Sequence, residues 1–580
     1  MVLSFSVAYN GFIKATVLNR CDGKRRIFMR NMVSVLLVFV LLLTALLPVT
    51  ASAQETKDYD LDASKLMNQW VYLDSTTKLS PMGVDLEEQV TVYPCYALQN
   101  VVYCANPESA SIQHLDIYVP TEYVKEAKDN GDGTWTLTFD DDAVFTNLNG
   151  TAYTVNTAPI IYQNTIDGYK EGYSITLGTE TKGIYQNADQ TRNSIYGDYV
   201  QAGYIYVCVG SRGVDSEGLE ETNGTAPDQI VDLKAGVRYL KANDTVLPGD
   251  ANRIIAVGGS AGGSCAALLG VSGNAEVFLP YLEKIGAVMD VTDDIYGARV
   301  QAPIANVDKA DMAYEYLHES ETSYTQMGPN GGEKTFDEFQ LALQKELIQG
   351  FEGYLTDLGF DRETFRDGYL EAINEALEVY TTRWLDTETY GDAEGFAKAY
   401  EGVSYVDGKV VADSMDAFVS SFMSRGKSIM AFDTEESKSW EAKLFGGKHF
   451  SASLLAIFEK MAAQGNEEAA RLAEAYTQDD TGVNAEGRQE MVRIMACMTY
   501  LTGEEKADIA RHWRFNNSTM DGDVGSMMAY LMSRYMQEQL GIEDVDFYLG
   551  IDKISPAGHG YPDYCFLDVE AYLDAMVAAQ

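Results

Sequence analysis

The sequence has 580 residues, of which 46% are hydrophobic and 22% charged, a globular composition rather than a disordered or collagen-like one. The 87 Asp and Glu residues outnumber the 43 Lys and Arg residues, which gives a net charge of −44. A surface of that sign repels nucleic acid phosphates and anionic lipids, so we expect neither as a partner. The His and Cys residues show no metal-ligand spacing, which argues against a zinc site but leaves a site of oxygen ligands open.

The chain begins with the pattern of a secretory signal peptide. An uncharged apolar run covers residues 32–48, four basic residues precede it between positions 24 and 30, and Ala51-Ser52-Ala53 follows it. This pattern predicts secretion with cleavage after Ala53, so that residues 1–53 are not part of the fold. A membrane anchor is the alternative, but the run is short for a span, so we expect no stable membrane insertion after cleavage. Met29 and Met32 are both candidates for the true start.

Residues 54–309 have the pattern of an α/β core. Residues 115–139 are typical of β structure with a tight turn. Further along the chain, strands are predicted at 158–162, 204–210 and 253–257, a helix at 230–243, and a strand-like segment at 298–307. Alternating strands and helices indicate a parallel sheet with right-handed crossovers. Cys95 and Cys104 leave two alternatives open, a small disulfide loop in an oxidising compartment or two reduced thiols.

From residue 310 to 505 the pattern changes to amphipathic helix, with one small hairpin at 403–412 whose Asp407-Gly408 suits a type I′ turn. Core signals return at 506–580: strands are predicted at 510–517 and 545–551, and helices at 526–540 and from Cys565. We therefore predict one α/β core that is split by a helical insertion, a large loop of the kind that often covers a site.

The segment Gly258-Gly259-Ser260-Ala261-Gly262 matches the G-x-S-x-G motif and falls between a predicted strand and a predicted helix. In a nucleophile elbow the serine occupies a strained turn, and the glycines avoid clashes that side chains would cause there. The motif alone also fits an ordinary tight turn. The strand before it and the helix after it favour Ser260 as a nucleophile.

A hydrolase with this elbow has its catalytic residues in the chain order Ser, Asp, His. Only two of the five histidines follow the insertion, and one of them, His512, falls in a predicted strand. His559 falls in a loop after the last strand, so it is the candidate general base. Asp521 and Asp523 both follow the preceding strand, and composition does not rank them. Either could instead cap the next helix.

Together with these motifs, several segments resemble the bacterial (subtype B) tannases, α/β-hydrolases that cleave galloyl esters. The similar segments are 226–244, 247–274, 305–318, 427–433, 440–450, 512–523 and 555–564. The resemblance runs over residues 110–578 and includes the insertion. It implies an α/β-hydrolase fold, a mostly parallel sheet flanked by helices, with a large and mainly helical lid. The reaction that it implies requires no cofactor.

The resemblance also assigns the site residues. It implies a triad of Ser260, Asp521 and His559, since the first Asp of the family's D-x-D pair is the triad acid. The oxyanion donors are implied to be the backbone N–H groups of Gly168 and Ala261. The three side chains that bind the galloyl ring hydroxyls correspond to Lys427, Glu441 and Asp523. The chain differs from the family pattern before the nucleophile, at Gly259, and before the D-x-D pair, at Asn517-Ser518.

The sequence therefore predicts a secreted serine esterase whose partner is a small aromatic ester with a galloyl group. A carboxylesterase or a feruloyl-type esterase on the same scaffold is the first alternative. An inactive hydrolase that serves as a binding module is the second. An inactive form normally lacks a triad residue, and here candidates for all three are present.

Overall fold

The structure is a computed structural model that describes residues 58–73, 76–78, 89–91, 94–147, 149–173, 199–215, 224–326, 331–478 and 481–551. The predicted signal peptide, the general-base candidate His559 and the final helix from Cys565 lie outside these described residues.

Within the described residues, the core is a nine-stranded sheet, whose strands we number in chain order. They are β1 (Val71–Leu73), β2 (Cys95–Val102), β3 (His114–Pro120), β4 (Pro159–Asn164), β5 (Ile205–Val209), β6 (Asp250–Gly259), β7 (Gly297–Gln301), β8 (His512–Ser518) and β9 (Asp544–Gly550). Their order in space is β1-β2-β3-β5-β4-β6-β7-β8-β9. In this spatial order, the neighbours β1-β2, β2-β3 and β3-β5 pair antiparallel. The neighbours from β5 through β4 and β6 to β9 all pair parallel.

The α-helices are also numbered in chain order. They are α1 (Asp228–Ala242), α2 (Ala261–Val271), α3 (Leu279–Lys284), α4 (Val307–Leu317), α5 (Glu338–Asp357), α6 (Arg362–Val379), α7 (Thr387–Tyr390), α8 (Ala393–Ala399), α9 (Met415–Phe422), α10 (Trp440–Leu444), α11 (Ala452–Ala463), α12 (Glu467–Tyr476), α13 (Arg488–Ile494), α14 (Cys497–Leu501) and α15 (Met527–Glu538). None of the helices in the described ranges has the length and apolar character needed to cross a membrane.

Short two-stranded ribbons lie outside the main sheet. They pair Thr76–Lys78 with Gln89–Thr91, Val124–Asp129 with Trp135–Phe139, Phe145–Thr146 with Ala152–Tyr153, Ser323–Gln326 with Gly332–Thr335, and Val403–Val406 with Lys409–Ala412. The last is the predicted hairpin, and both turn residues have positive φ, 52° at Asp407 and 88° at Gly408, as a type I′ turn requires. The ribbon at residues 323–335 was not predicted.

The predicted alternation of strands and helices is confirmed along the core. Every residue of β3, β4, β5, β7 and β8 is buried. Burial on both faces explains the apolar run of β5, whereas β7 and β8 also bury polar residues such as Arg299 and Arg514. Helix α1 connects β5 to β6, α2 follows β6, and α15 connects β8 to β9. Between β7 and β8 the chain is mainly helical, from α4 to α14. The predicted mainly parallel sheet flanked by helices is therefore correct.

Cys95 and Cys104 are both free thiols buried in the core. Cys95 begins the eight-residue strand β2 and Cys104 follows its end. An extended strand of that length places its ends roughly 25 Å apart. A disulfide needs Cα atoms about 5.5 Å apart. Of the two alternatives that the sequence left open, the structure has the reduced thiols.

Candidate active site

Ser260 occupies the turn between β6 and α2. Its backbone has φ 55° and ψ −126°, a conformation that is strained for a residue with a side chain. Its N–H donates a hydrogen bond to the carbonyl oxygen of Gln301 at the end of β7, at 2.9 Å. The turn therefore has the strained geometry that the G-x-S-x-G motif predicts.

Gly258 and Gly262 of the motif, and Gly263 directly after it, are needed as glycines because backbone and polar atoms approach them closely. A Cβ atom on Gly258 would lie 2.3 Å from the carbonyl oxygen of Gly262. A Cβ atom on Gly262 would lie 2.5 Å from Oδ1 of Asn164, and one on Gly263 would lie 2.5 Å from the carbonyl oxygen of Gln301. Any side chain at these positions would push the elbow away from the neighbouring strands.

The loop after β4 is hydrogen-bonded directly to the elbow. Nδ2 of Asn164 donates to the carbonyl oxygens of Val257 and Gly262, at 3.2 and 3.0 Å. The N–H of Gly262 donates to the carbonyl oxygen of Ile166 at 3.1 Å. Gly168 follows two residues later with φ +58°. The loop that contains Gly168 therefore lies against the first turn of α2, which begins at Ala261.

Asp521 is buried in the loop after β8. Its Oδ1 accepts hydrogen bonds from the N–H groups of Asp523 and Val524, both at 3.1 Å, which fixes the carboxylate within its own loop. The N–H of Thr519 donates to the carbonyl oxygen of Gly550 at 2.9 Å, so the loop begins beside the end of β9. Because β6 and β8 are separated by β7, the elbow and this loop follow strands about 10 Å apart at the same edge of the sheet.

His512, the other histidine after the insertion, lies at the opposite end of β8 from Asp521. Its Nδ1 is 2.7 Å from Oδ2 of Asp544, and its ring stacks on Tyr296 with a centroid distance of 4.0 Å. His512 is the first of the seven residues of β8, so the length of that strand separates it from the loop that follows. This placement agrees with its rejection as the general base on sequence grounds.

Lys427, Glu441 and Asp523 come together although they lie far apart in the sequence. Glu441 is 5% exposed, and burial raises the pKa of its carboxyl group. The positive charge of Lys427 lowers that pKa and the negative charge of Asp523 raises it, so both charges lie within electrostatic range of Glu441. In the part of the chain that the structure describes, no three His, Cys, Asp or Glu side chains are grouped as ligands for a metal ion.

Backbone hydrogen bonds join the insertion to the loop after β8. The N–H of Ser424 donates to the carbonyl oxygen of Thr519, and the N–H of Gly426 donates to that of Gly522, both at 3.0 Å. A Cβ atom on Gly426 would lie 2.9 Å from the same carbonyl oxygen of Gly522. The segment that carries Lys427 therefore runs along the loop that carries Asp521 and Asp523.

Trp440 is a residue of this region that the sequence analysis missed. Its indole packs on Gly168, where an added Cβ atom would lie 3.0 Å from Cδ2 of the ring. The ammonium groups of Lys170 and Lys443 lie 4.4 and 3.5 Å from the ring centroid. Its sequence neighbours are polar and charged, so no apolar pattern marks it, and only its position before Glu441 could have suggested it.

Comparison with solved structures finds proteins of the same fold. The tannin acyl hydrolase from Lactobacillus plantarum is 26% identical with a TM-score of 0.66, over 89% of this chain and 98% of that chain. The tannase of Fusobacterium nucleatum is 25% identical with a TM-score of 0.65, over 90% of this chain and 100% of that chain. A tannin acyl hydrolase in complex with ethyl gallate gives 25% identity and a TM-score of 0.65, over 89% and 98%.

The family model BD-FAE matches residues 178–327, which include the elbow. No curated protein matches the chain. The structural likeness to the tannases, together with the family-model match, confirms the tannase-like α/β-hydrolase fold that the resemblance implied.

Proposed function

We propose that the protein is a serine esterase that hydrolyses galloyl esters, such as tannins and alkyl gallates, to gallic acid. The observation that carries the proposal is the grouping of Glu441 and Lys427 with Asp523, which belongs to the same loop as Asp521. Solved relatives carry ethyl gallate or 3,4-dihydroxybenzoate. These relatives support the broader assignment of the protein as an esterase that acts on aromatic esters.

The proposed reaction is acyl transfer through an acyl-enzyme. The hydroxyl of Ser260 attacks the ester carbonyl while the imidazole of His559 takes its proton. Asp521 orients that imidazole and stabilises its charged form. The N–H groups of Gly168 and Ala261 hold the oxyanion, and the alcohol leaves with the proton from His559. Water, deprotonated by the same histidine, then releases the aromatic acid.

The ring hydroxyls are recognised by the charged cluster. Phenolic hydroxyls are donors, so the carboxylates of Glu441 and Asp523 accept from them, while the ammonium group of Lys427 donates to a ring oxygen. A site built for hydroxyls rejects rings that lack them, because its buried polar groups would be left unpaired. We propose that the insertion at 310–505 acts as a lid over the core segments 54–309 and 506–580, since two of these side chains belong to it.

Secretion is part of the proposal. The basic residues, the apolar run and the A-x-A sequence that ends at Ala53 support export and cleavage. The N-terminal sequence of the exported protein tests this directly. A mature chain that begins at Gln54 is expected, and a chain that retains residues 32–48 would contradict cleavage.

The contact between Glu441 and the ring is tested by Glu441→Ala. We expect the variant to lose about 1–3 kcal/mol of transition-state binding for methyl gallate, the range for leaving a hydroxyl unpaired. Hydrolysis of methyl benzoate, whose ring has no hydroxyl, should change far less or rise. The measurement is kcat/KM for both esters in the wild type and the variant.

Glu388→Ala is the matched control for this comparison. Glu388 is the second residue of α7, as Glu441 is the second residue of α10, but its side chain is exposed. The control should leave both kcat/KM values near those of the wild type. Equal losses on the two esters in Glu441→Ala would show that Glu441 supports the structure rather than binds the ring.

A further inference from the structure

Tyr314 is a buried residue of α4 whose hydroxyl group contacts both sides of the candidate site. The hydroxyl donates to the carbonyl oxygen of Gly522 at 2.6 Å, and Gly522 lies between Asp521 and Asp523. It accepts from the N–H groups of Gly426 and Lys427, at 3.2 and 3.3 Å. One hydroxyl group thus joins the core loop to the insertion segment that carries Lys427.

The surroundings of Tyr314 hold its ring in place. The Phe432 ring packs edge-on against it, at a centroid distance of 5.9 Å. The Arg425 guanidinium lies 5.4 Å from the ring centroid, and its Nη2 donates to both carboxylate oxygens of Glu315, at 2.6 and 2.8 Å. Phe432 also contacts the site directly, because the ammonium group of Lys427 lies 4.4 Å from its ring centroid.

The three hydrogen bonds of the hydroxyl are not equivalent. The N–H of Gly426 also donates to the carbonyl oxygen of Gly522, so it keeps an acceptor without Tyr314. For the N–H of Lys427, the Tyr314 hydroxyl is the acceptor that the structure provides. Removing the hydroxyl would leave this N–H without that bond and loosen the backbone of Lys427, whose carbonyl oxygen still accepts from Nε of Arg425 at 3.3 Å.

We propose that Tyr314 is a positioning residue that holds Lys427 at a fixed distance from the Asp521–Asp523 loop and thereby sets the preference for hydroxylated rings. Tyr314 acts through Lys427 and does not itself bind substrate. This inference rests on the proposed function, because Lys427 must bind the ring for its position to matter.

The test is a double-mutant cycle of Tyr314→Phe and Lys427→Met, with KM and kcat measured on methyl gallate and methyl benzoate. Methionine keeps an apolar stem against Phe432 and removes the charge. We expect each single variant to raise KM for methyl gallate about tenfold, the scale of one hydrogen bond to a charged or buried group. KM for methyl benzoate should stay within about twofold of the wild type. In the Lys427→Met background, Tyr314→Phe should have no further effect, because both changes remove the same contact.

Tyr123→Phe is the matched control. The Tyr123 hydroxyl is also buried and donates to a backbone carbonyl oxygen, that of Gly203, at 2.7 Å, but it is not part of the site. The Tyr123→Phe variant should leave KM for methyl gallate and for methyl benzoate unchanged, even if it lowers the temperature of thermal unfolding. A KM change in Tyr123→Phe equal to that in Tyr314→Phe would assign the effect to stability and overturn the inference.

The remaining outcomes separate the inference from the proposed function. If Lys427→Met leaves KM for methyl gallate unchanged, the ring-binding role of Lys427 is wrong and the proposed function fails. If Lys427→Met raises KM but Tyr314→Phe does not, or if the two effects add in full, the proposed function stands and the positioning role of Tyr314 is overturned.

Discussion

Replacing Ser260 by alanine is expected to lower kcat on every ester by about 10⁶-fold, the loss measured when a serine triad loses its nucleophile. The variant should fold normally, because alanine is smaller than serine and the hydrogen bond between the N–H of residue 260 and Gln301 does not depend on the side chain. The measurement is kcat on methyl gallate, with circular dichroism and thermal unfolding to confirm the fold.

Ser272→Ala is a control at the other end of the same helix. Ser272 is a buried serine that ends α2, as Ser260 begins it, but it is far from the candidate site. It should keep kcat within about twofold of the wild type, since it takes no part in acyl transfer. A folded Ser260→Ala protein that retains a large share of wild-type activity would show that Ser260 is not the nucleophile.

Asp521→Asn is expected to lower kcat on every ester by up to about 10⁴-fold, as other triad acids do, because asparagine cannot stabilise the charged imidazole of His559. Asp523→Asn should behave differently. Asp523 binds the ring in the ground state and in the transition state, so its loss should raise KM for galloyl esters and spare esters without ring hydroxyls. Both variants are measured on methyl gallate and on a short-chain aliphatic ester.

These two variants serve as controls for each other, because the residues lie two positions apart in one loop. If Asp523→Asn is inactive on the short-chain ester while Asp521→Asn is active, the two roles must be exchanged. If both are inactive on both esters, the loop acts as a unit and the division of roles is wrong.

The elbow and the sheet around it could be predicted from the sequence because their signals are local. A buried parallel strand reads as an apolar run, and the strained turn at Ser260 demands glycines at fixed positions beside it. The Asp and His candidates could then be sought after the elbow, because a hydrolase of this kind has its catalytic residues in the chain order Ser, Asp, His. The helical character between β7 and β8 was equally visible, since amphipathic periodicity extends over many residues.

Composition could not show which of Asp521 and Asp523 is the triad acid, because both are acidic residues in one loop. In the structure, the Asp521 carboxylate accepts from the backbone of its own loop, whereas the charge of Asp523 acts on Glu441. This difference depends on a contact between the loop and the insertion. The division of roles between the two residues stays a prediction, which the two Asn variants test.

The ring-binding candidates were accessible only through the resemblance. A single Lys or Glu in an acidic, helical segment reads as a surface charge, and nothing in the local pattern marks Glu441 as buried. Helix α10 contacts residues distant in the sequence: the Trp440 ring lies on Gly168, and the carbonyl oxygen of Leu444 accepts from the N–H of Ala226. Tyr314 was missed for the same reason, since a tyrosine on an apolar helix face reads as core.

The proposed selection of the galloyl group is tested most directly by comparing the rates of acid release from methyl gallate and methyl ferulate by the wild-type protein. The account predicts that gallic acid is released with a kcat/KM at least about tenfold above that for ferulic acid, because the ferulate ring presents fewer hydroxyl donors to Glu441 and Asp523. Equal values, or a higher value for methyl ferulate, would contradict the galloyl assignment and favour a feruloyl-type esterase on the same fold.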